Sequence, residues 1–135
     1  MKILLLHQHF NTPAAGGALR SYYLAKALAD SGMQVIVLTG ANVTHVQTET
    51  IEGIVVHYLP VPYNNAFGFV RRSVSFLRYI KHVLQTCRRI HNIDVCYSIS
   101  TPLTVGIAAL WLKHTRRIPF IFEVGDLWPE APIQL

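Results

Sequence analysis

The sequence predicts an α/β domain built on a doubly wound, mostly parallel sheet, and three observations lead there. Short continuous apolar runs, such as KILLL at Lys2–Leu6 and QVIVLT at 34–39, are bounded by polar and loop residues, as strands buried on both faces are. Between the runs lie segments of helical periodicity, long enough for right-handed parallel crossovers. Composition agrees: of 135 residues, 51% are hydrophobic and 14% charged, which excludes a disordered or low-complexity chain. One compact domain is the ceiling at this length, and it needs no disulfide or metal staple. The same size suits one lobe of a larger two-lobed enzyme.

The first strand is Lys2–Leu6. Residues 7–17 (HQHFNTPAAGG) form a loop with Asn, Pro and paired Gly, and 18–31 follows as a helix with Leu24, Ala25 and Leu28 on one face. Gly32 is placed to end that helix, and 34–39 is the second strand. Between Thr44 and Pro60 two strands are expected, turning near Glu52-Gly53, as a hairpin-like excursion from the sheet. Pro60, Pro62 and Asn64-Asn65 then break the chain. Residues 69–90 read as a long amphipathic helix: Ser73, Phe76, Ile80, Val83, Cys87 and Ile90 recur at helical spacing, with Arg71, Arg78, His82 and Arg89 roughly opposite. A strand at 94–98, a buried helix at 103–114 and a strand at 119–124 complete the alternation, giving four parallel strands plus the excursion. The chain then runs on as GDLWPEAPIQL where a helix is expected, so the domain reads as cut.

Twelve Lys and Arg against seven Asp and Glu give a net charge of +5, a balance that favours anionic partners. Arg71, Arg72, Arg78, Lys81, Arg88 and Arg89 all fall on the long helix, and no acidic residue occurs between Glu52 and Asp94, so the positive field is local. Cys87 and Cys96 have no CxxC or nearby Cys/His ligand cluster and are expected as reduced thiols. The longest apolar runs fall well short of the roughly 20 residues that span a bilayer, and the N-terminus lacks the h-region and cleavage site of a signal peptide. A cytoplasmic chain is expected, with peripheral contact at the inner face of the cell membrane left open.

In an open parallel sheet, ligands gather at the carboxyl ends of the strands. In the first such loop, Gly16-Gly17 stands just before a helix whose open N–H groups can receive a phosphate or another oxygen-rich group. Arg20, in the first helical turn, is unfavourable there by about 0.3–1 kcal/mol unless an anion is near. The plain alternative is that the glycines only turn the chain and Arg20 points to solvent. The loop is not GxGxxG and has no Walker lysine, which weakens dinucleotide and P-loop readings. His7 and His9 lack further ligands at suitable spacing and are read as loop or substrate-contacting residues; no metal and no cofactor are expected. At the end of the last strand, Glu123, Asp126 and Glu130 join Trp128, groups that can hydrogen-bond sugar hydroxyls and face the apolar side of a sugar ring. The alternatives there are Trp128 filling the core and Asp126 capping a helix.

Taken in order, the GG loop with Arg20, the helix signature R-x3-LA-x2-L (Arg20, Leu24, Ala25, Leu28), SGMQVIVLTG, STPLTVGIAALWL from Ser100 and EVGDLWPE from Glu123 resemble the N-terminal domain of family 4 glycosyltransferases. The resemblance runs through almost the whole chain and looks closest to bacterial members that build cell-surface polysaccharide. It implies the truncated N-terminal, acceptor-side lobe of a retaining GT-B enzyme, with 1–135 as one Rossmann-like domain and the donor-binding C-terminal domain absent. The partners it implies are a nucleotide-sugar donor, a saccharide or lipid-linked acceptor and that missing domain, without which the fragment is expected to be inactive. By position, Gly16 and Gly17 match the glycine loop that approaches donor phosphates and acceptor, and Asp126 matches the aspartate of the DLWP segment. Asp126 is therefore the catalytic candidate, with Gly16, Gly17, Arg20, His7, Glu123, Trp128 and Glu130 as the substrate- and phosphate-binding set. Many relatives place His or Arg directly before that aspartate, where this chain has Gly125, so no general base is named. Transfer would rest chiefly on stabilising the departing phosphate while the acceptor hydroxyl attacks from the same face.

With a lipid-linked acceptor, Arg71, Arg72, Arg78 and Lys81 would face an acidic membrane surface, each worth about 1 kcal/mol close to it. Phe69, Phe76 or Tyr79 would either meet the interface or pack against the domain, and packing is the expectation. No recognition helix, zinc or RNP pattern accompanies the basic stretch, so nucleic acid is not an expected partner. The rival reading is a non-enzymatic α/β module that binds phosphorylated ligands or an acidic membrane surface. A dinucleotide-dependent oxidoreductase would rest on fold class alone.

Overall fold

The protein is described by a computed structural model over residues 1–17, 19–100 and 103–124. Its centre is β1 (Lys2–Leu6), which pairs in parallel with β2 (Gln34–Ala41) on one side and β5 (Val95–Ile99) on the other. KILLL carries no polar residue beyond Lys2 because both of its faces are covered. Leu4 and Leu6 pack toward α2 (Phe69–Cys87) and α3 (Val105–Arg116), while Leu5 packs toward α1 (Arg20–Asp30). All three leucines are fully buried.

Outward from this centre, β4 (Ile54–Pro60) pairs in parallel with β2, and β6 (Phe120–Glu123) in parallel with β5. Only β3 (Gln47–Ile51) is antiparallel, on the outer edge of β4, so the sheet order is β3-β4-β2-β1-β5-β6. The sequence predicted four parallel strands with a hairpin beside them; five strands are parallel, because the second strand of the hairpin enters the sheet. The reason lies in IVVHYLP. Ile54 and Val56 bury on the α1 face and Leu59 on the α2 face, so this strand is apolar on both sides and belongs inside. QTETI is exposed over nearly its whole length and can serve only as an edge. Between the two strands, Glu52 and Gly53 both take positive φ, the geometry of a tight I′ hairpin turn. The Tyr22 hydroxyl donates to the Glu52 carboxylate at 2.5 Å and ties that turn to α1.

The long helix buries Ile80, Val83 and Cys87 as predicted but is shorter than expected. Ser75 and Tyr79 join its buried side, while Ser73 and Phe76 are only half-buried. Tyr79 is drawn fully inside because its hydroxyl finds a partner there, donating to the Leu38 carbonyl at 2.5 Å. Phe69, expected to pack, is 85% exposed. The helix stops at Cys87 and not at Ile90, where Arg116 of α3 donates to the carbonyls of both Cys87 and Ile90 at 2.7 Å and so satisfies groups that a helix end leaves open. Helix α3 begins and ends two residues later than predicted and closes on Arg117 in the left-handed region. Cys87 and Cys96 are free thiols in the core between α2, α3 and the sheet, where burial pushes each up to about 12.

Tyr79 gives a direct test of how α2 is held. Tyr79→Phe keeps the ring but removes the donor to Leu38 and is expected to cost about 1 kcal/mol. Tyr79→Ala also opens a cavity and should cost about 3–5 kcal/mol. Urea unfolding midpoints at unchanged slope would report both; equal stability of the two variants would mean that the ring does not anchor the helix.

Candidate functional site

The strand order reverses at β1: the chain builds β2 and β4 to one side, then crosses through α2 to β5 on the other. At such a switch point the carboxyl ends of the two central strands part and leave a crevice. The strand alternation of β1 carries on into it. His7 falls on the α1 side, with Nδ1 2.9 Å from Ser21 Oγ, and Gln8 falls on the α2 side, where Nε2 donates to Ser75 Oγ at 3.1 Å. Buried Thr39 locks the loop from the end of β2: its hydroxyl donates to the Gln8 carbonyl at 3.0 Å and accepts from the Phe10 amide at 3.2 Å.

The loop reaches α1 through Gly16 and Gly17, both at positive φ, +77° and +84°. At Gly17 a Cβ would also come within 2.9 Å of the Asn11 side chain, whereas at Gly16 it would meet nothing within 4 Å. Arg20 is the first residue of α1, whose first turn holds no acidic residue and whose N-cap, Leu19, contributes no side-chain hydrogen bond. The Arg20 guanidinium pairs with the Glu123 carboxylate at the end of β6, and the Tyr97 hydroxyl donates to the other Glu123 oxygen. Arg20 therefore does not simply point to solvent. Its side chain is still 72% exposed, which leaves guanidinium donors available beside the helix start. Burial, then the neighbouring His9 and Arg20, hold the His7 imidazole down to about 4, and burial lowers His9 in the same direction. At neutral pH both rings are uncharged hydrogen-bonding groups.

Of the predicted site residues, the structure brings His7, Arg20 and Glu123 to one side of the crevice, with Gly16 and Gly17 in the loop above α1. Asp126, Trp128 and Glu130, with Gly125, lie outside the described residues. Arg71, Arg72, Arg78 and Lys81 are exposed along α2. Arg71 sits over the Phe67 ring and Arg72 donates to the Asn65 carbonyl, but among the described residues none of the four pairs with a carboxylate. On the same helix Phe69, Val70, Val74 and Leu77 are exposed. Val70, Val74 and Leu77 recur at i, i+4 and i+7, so this second apolar stripe was readable from periodicity but was obscured by the stronger inward one.

Sequence reasoning missed a pocket of about 430 Å³ on the other side of the β1 loop, lined by Gln8, His9, Asn42, Tyr63 and Asn65 among others. Asn42 Oδ1 accepts from the Tyr63 amide at 3.2 Å, and the Tyr63 ring packs against His9, Phe67 and Phe76. No motif marks these residues, because they come from three separate loops. A larger hollow of about 820 Å³ lies along the flank of α2 and the edge strands, near His57, His82, Arg88 and Arg89, and not at the carboxyl ends of the strands. Among the described residues no three His, Cys, Asp or Glu side chains gather as a metal-ligand set, and no helix is long and apolar enough to cross a membrane.

Comparison with known proteins adds two findings. The model of a family described as glycosyl transferase 4-like domain matches residues 15–135. A solved C-terminal domain of a hydrogenase from Pyrococcus furiosus superposes with a TM-score of 0.61 at 18% identity, covering 91% of this chain and 91% of that one. At that identity the likeness speaks for the fold alone. No curated protein gives a significant match.

The depressed imidazole of His7 sets a pH dependence. In the folded chain it stays neutral down to about 4, whereas in the unfolded chain it binds a proton near 6.5. The unfolded state thus takes up more protons in that window, and stability falls as pH drops from about 6.5 toward 4, by up to roughly 3 kcal/mol from this residue. His7→Gln should flatten the slope. Chemical denaturation at pH 7 and pH 4.5 checks this, and an identical slope in the variant would remove His7 as its source.

Proposed function

The chain belongs to the glycosyl transferase 4-like domain family, and from that premise we propose that it is the acceptor-side lobe of a retaining GT-B sugar transferase, acting with a second, donor-binding lobe. The donor is a nucleotide-sugar, and the acceptor is a saccharide or lipid-linked saccharide of bacterial cell-surface polysaccharide synthesis. The observation that carries the reading is the uncapped start of α1 at the switch-point crevice, with Gly16, Gly17, Arg20 and His7 around it. The first-turn N–H groups of α1 and the open side of Arg20 suit the charge that develops on a departing phosphate. In that step the bond between the anomeric carbon and the phosphate oxygen breaks while the acceptor hydroxyl oxygen bonds to the same carbon from the same face, and the hydroxyl proton passes to the departing phosphate oxygen. His7, neutral at pH 7, is suited to orienting a hydroxyl and not to supplying charge. Asp126 is proposed to complete the site from the segment after β6.

The glycines make the reading testable. Gly17→Ala combines left-handed backbone, about 1–2 kcal/mol for a residue with a Cβ, with a collision at Asn11. Gly16→Ala meets only the first of these. In the intact protein, Gly17→Ala is expected to lower sugar-nucleotide-dependent transfer or donor hydrolysis at least tenfold and Gly16→Ala by less. Absence of any such activity in the intact wild-type protein would overturn the reading.

A specific feature also favours docking of α2 on the acidic inner face of the cell membrane. Exposed Phe69, Val70, Val74 and Leu77 are flanked by Arg71, Arg72, Arg78 and Lys81 without carboxylate partners among the described residues. Apolar contact plus about 1 kcal/mol per basic residue is the pattern of an interfacial helix. Sedimentation with anionic vesicles should recover the chain, and reversing the four charges should weaken recovery at least tenfold. Equal sedimentation of wild type and variant would refute the docking.

A further inference from the structure

The pocket beside Gln8 differs in chemistry from the rest of this basic protein. Its polar lining is made of carboxamides, from Gln8, Asn11, Asn42 and Asn65, set against the rings of His9 and Tyr63, and it includes no Lys, Arg, Asp or Glu. Burial keeps His9 uncharged at neutral pH. Arg72, which donates to the Asn65 carbonyl, is not among the lining groups. The volume, about 430 Å³, falls within the roughly 300–1,000 Å³ of small-molecule sites.

One lining group has unmet bonding capacity. Gln8 is 2% exposed, its Nε2 donates to Ser75 Oγ, and its Oε1 has no hydrogen-bond partner among the described residues. A serine hydroxyl can serve either end of an amide, so whichever end faces Ser75, the other is left unpaired. A buried amide end without a partner costs about 1–3 kcal/mol, and Gln8 lines the pocket. A hydroxyl entering the pocket would satisfy it. Amides that both donate and accept match hydroxyls that do the same, and the Tyr63 ring, braced by Phe67 and Phe76, offers a flat apolar wall. The Arg72 guanidinium is held on the Asn65 carbonyl, so a carboxylate or phosphate entering the same space would find no cation among the lining side chains.

We propose that this pocket holds an uncharged sugar ring of the acceptor and discriminates against its acidic counterpart, with Gln8, Asn65 and Tyr63 as the selecting residues. The proposal rests on the sugar-transfer reading and adds the substrate class. It also divides the labour at the β1 loop: anionic parts of substrates go to the Arg20 side, neutral hydroxyls to the Gln8 side.

Titration of the chain with methyl glucoside, methyl N-acetylglucosaminide and glucuronate, followed by amide NMR shifts, tests it. The neutral glycosides should shift the signals of Gln8, Asn42, Tyr63 and Asn65, and at least one should bind tenfold or more tighter than glucuronate. Gln8→Leu should weaken that binding about tenfold. Because Gln8 is buried, the exposed variant Asn65→Arg provides a second arm: it should raise glucuronate binding and reverse the preference. Equal binding of glucuronate and both neutral glycosides by the wild type, no shift at these residues, or no change in preference with Asn65→Arg would each overturn the proposal. Donor turnover by the intact protein without neutral-sugar binding here would overturn this inference alone, whereas absence of donor turnover would overturn the sugar-transfer reading.

Discussion

Burial of β1 on both faces is the constraint from which the site follows. Three leucines in succession need apolar cover on alternate sides, so helices must lie both above and below the sheet. When the strand ends, its alternation does not stop at once. His7 still points to the α1 layer and Gln8 to the α2 layer, and each finds a serine on the helix that covers its side. Two different polar environments thus arise on the two sides of one loop from the period of a strand.

The loop can hold that arrangement because its backbone is anchored from β2. Thr39 adds a buried hydroxyl to the Gln8 carbonyl and the Phe10 amide, which also bond to the Gly40 amide and the His7 carbonyl, and a Cβ at Gly40 would come within 3.3 Å of the Val61 side chain. The same logic recurs at the other end of the layer. Arg116 reaches across from α3 to the last carbonyls of α2, and Tyr79 spends its hydroxyl on the carbonyl of Leu38. Among the described residues, Gln8 Oε1 and Thr104 Oγ1 are buried side-chain atoms without a partner, and the Gln8 amide lies beside a pocket.

Electrostatics is partitioned over the molecule. The positive excess collects on the outer side of α2, the crevice holds the Arg20 and Glu123 pair, and the pocket by Gln8 carries no ionised side chain. A net charge of +5 therefore describes none of these three surfaces individually. Each is set by which residues the packing leaves in view.

Much of the fold was legible in the sequence because local patterning reports burial. KILLL, QVIVLT and the helical spacing of Leu24, Ala25 and Leu28 determined strands, a crossover helix and hence a doubly wound sheet, and Gly16-Gly17 marked the loop that enters α1. Where periodicity was ambiguous the expectation failed: Tyr79 packs as expected but Phe69 does not, since hydrophobicity alone does not say which aromatic ring has a buried hydrogen-bond partner. The position of β4 inside the sheet, the pairing of Arg20 with a residue 103 positions away and the meeting of Gln8, Asn42 and Tyr63 were decided by tertiary structure. Periodicity records only which side of an element is buried. Which distant loops converge depends on strand order and register, and those are settled by how whole faces pack together.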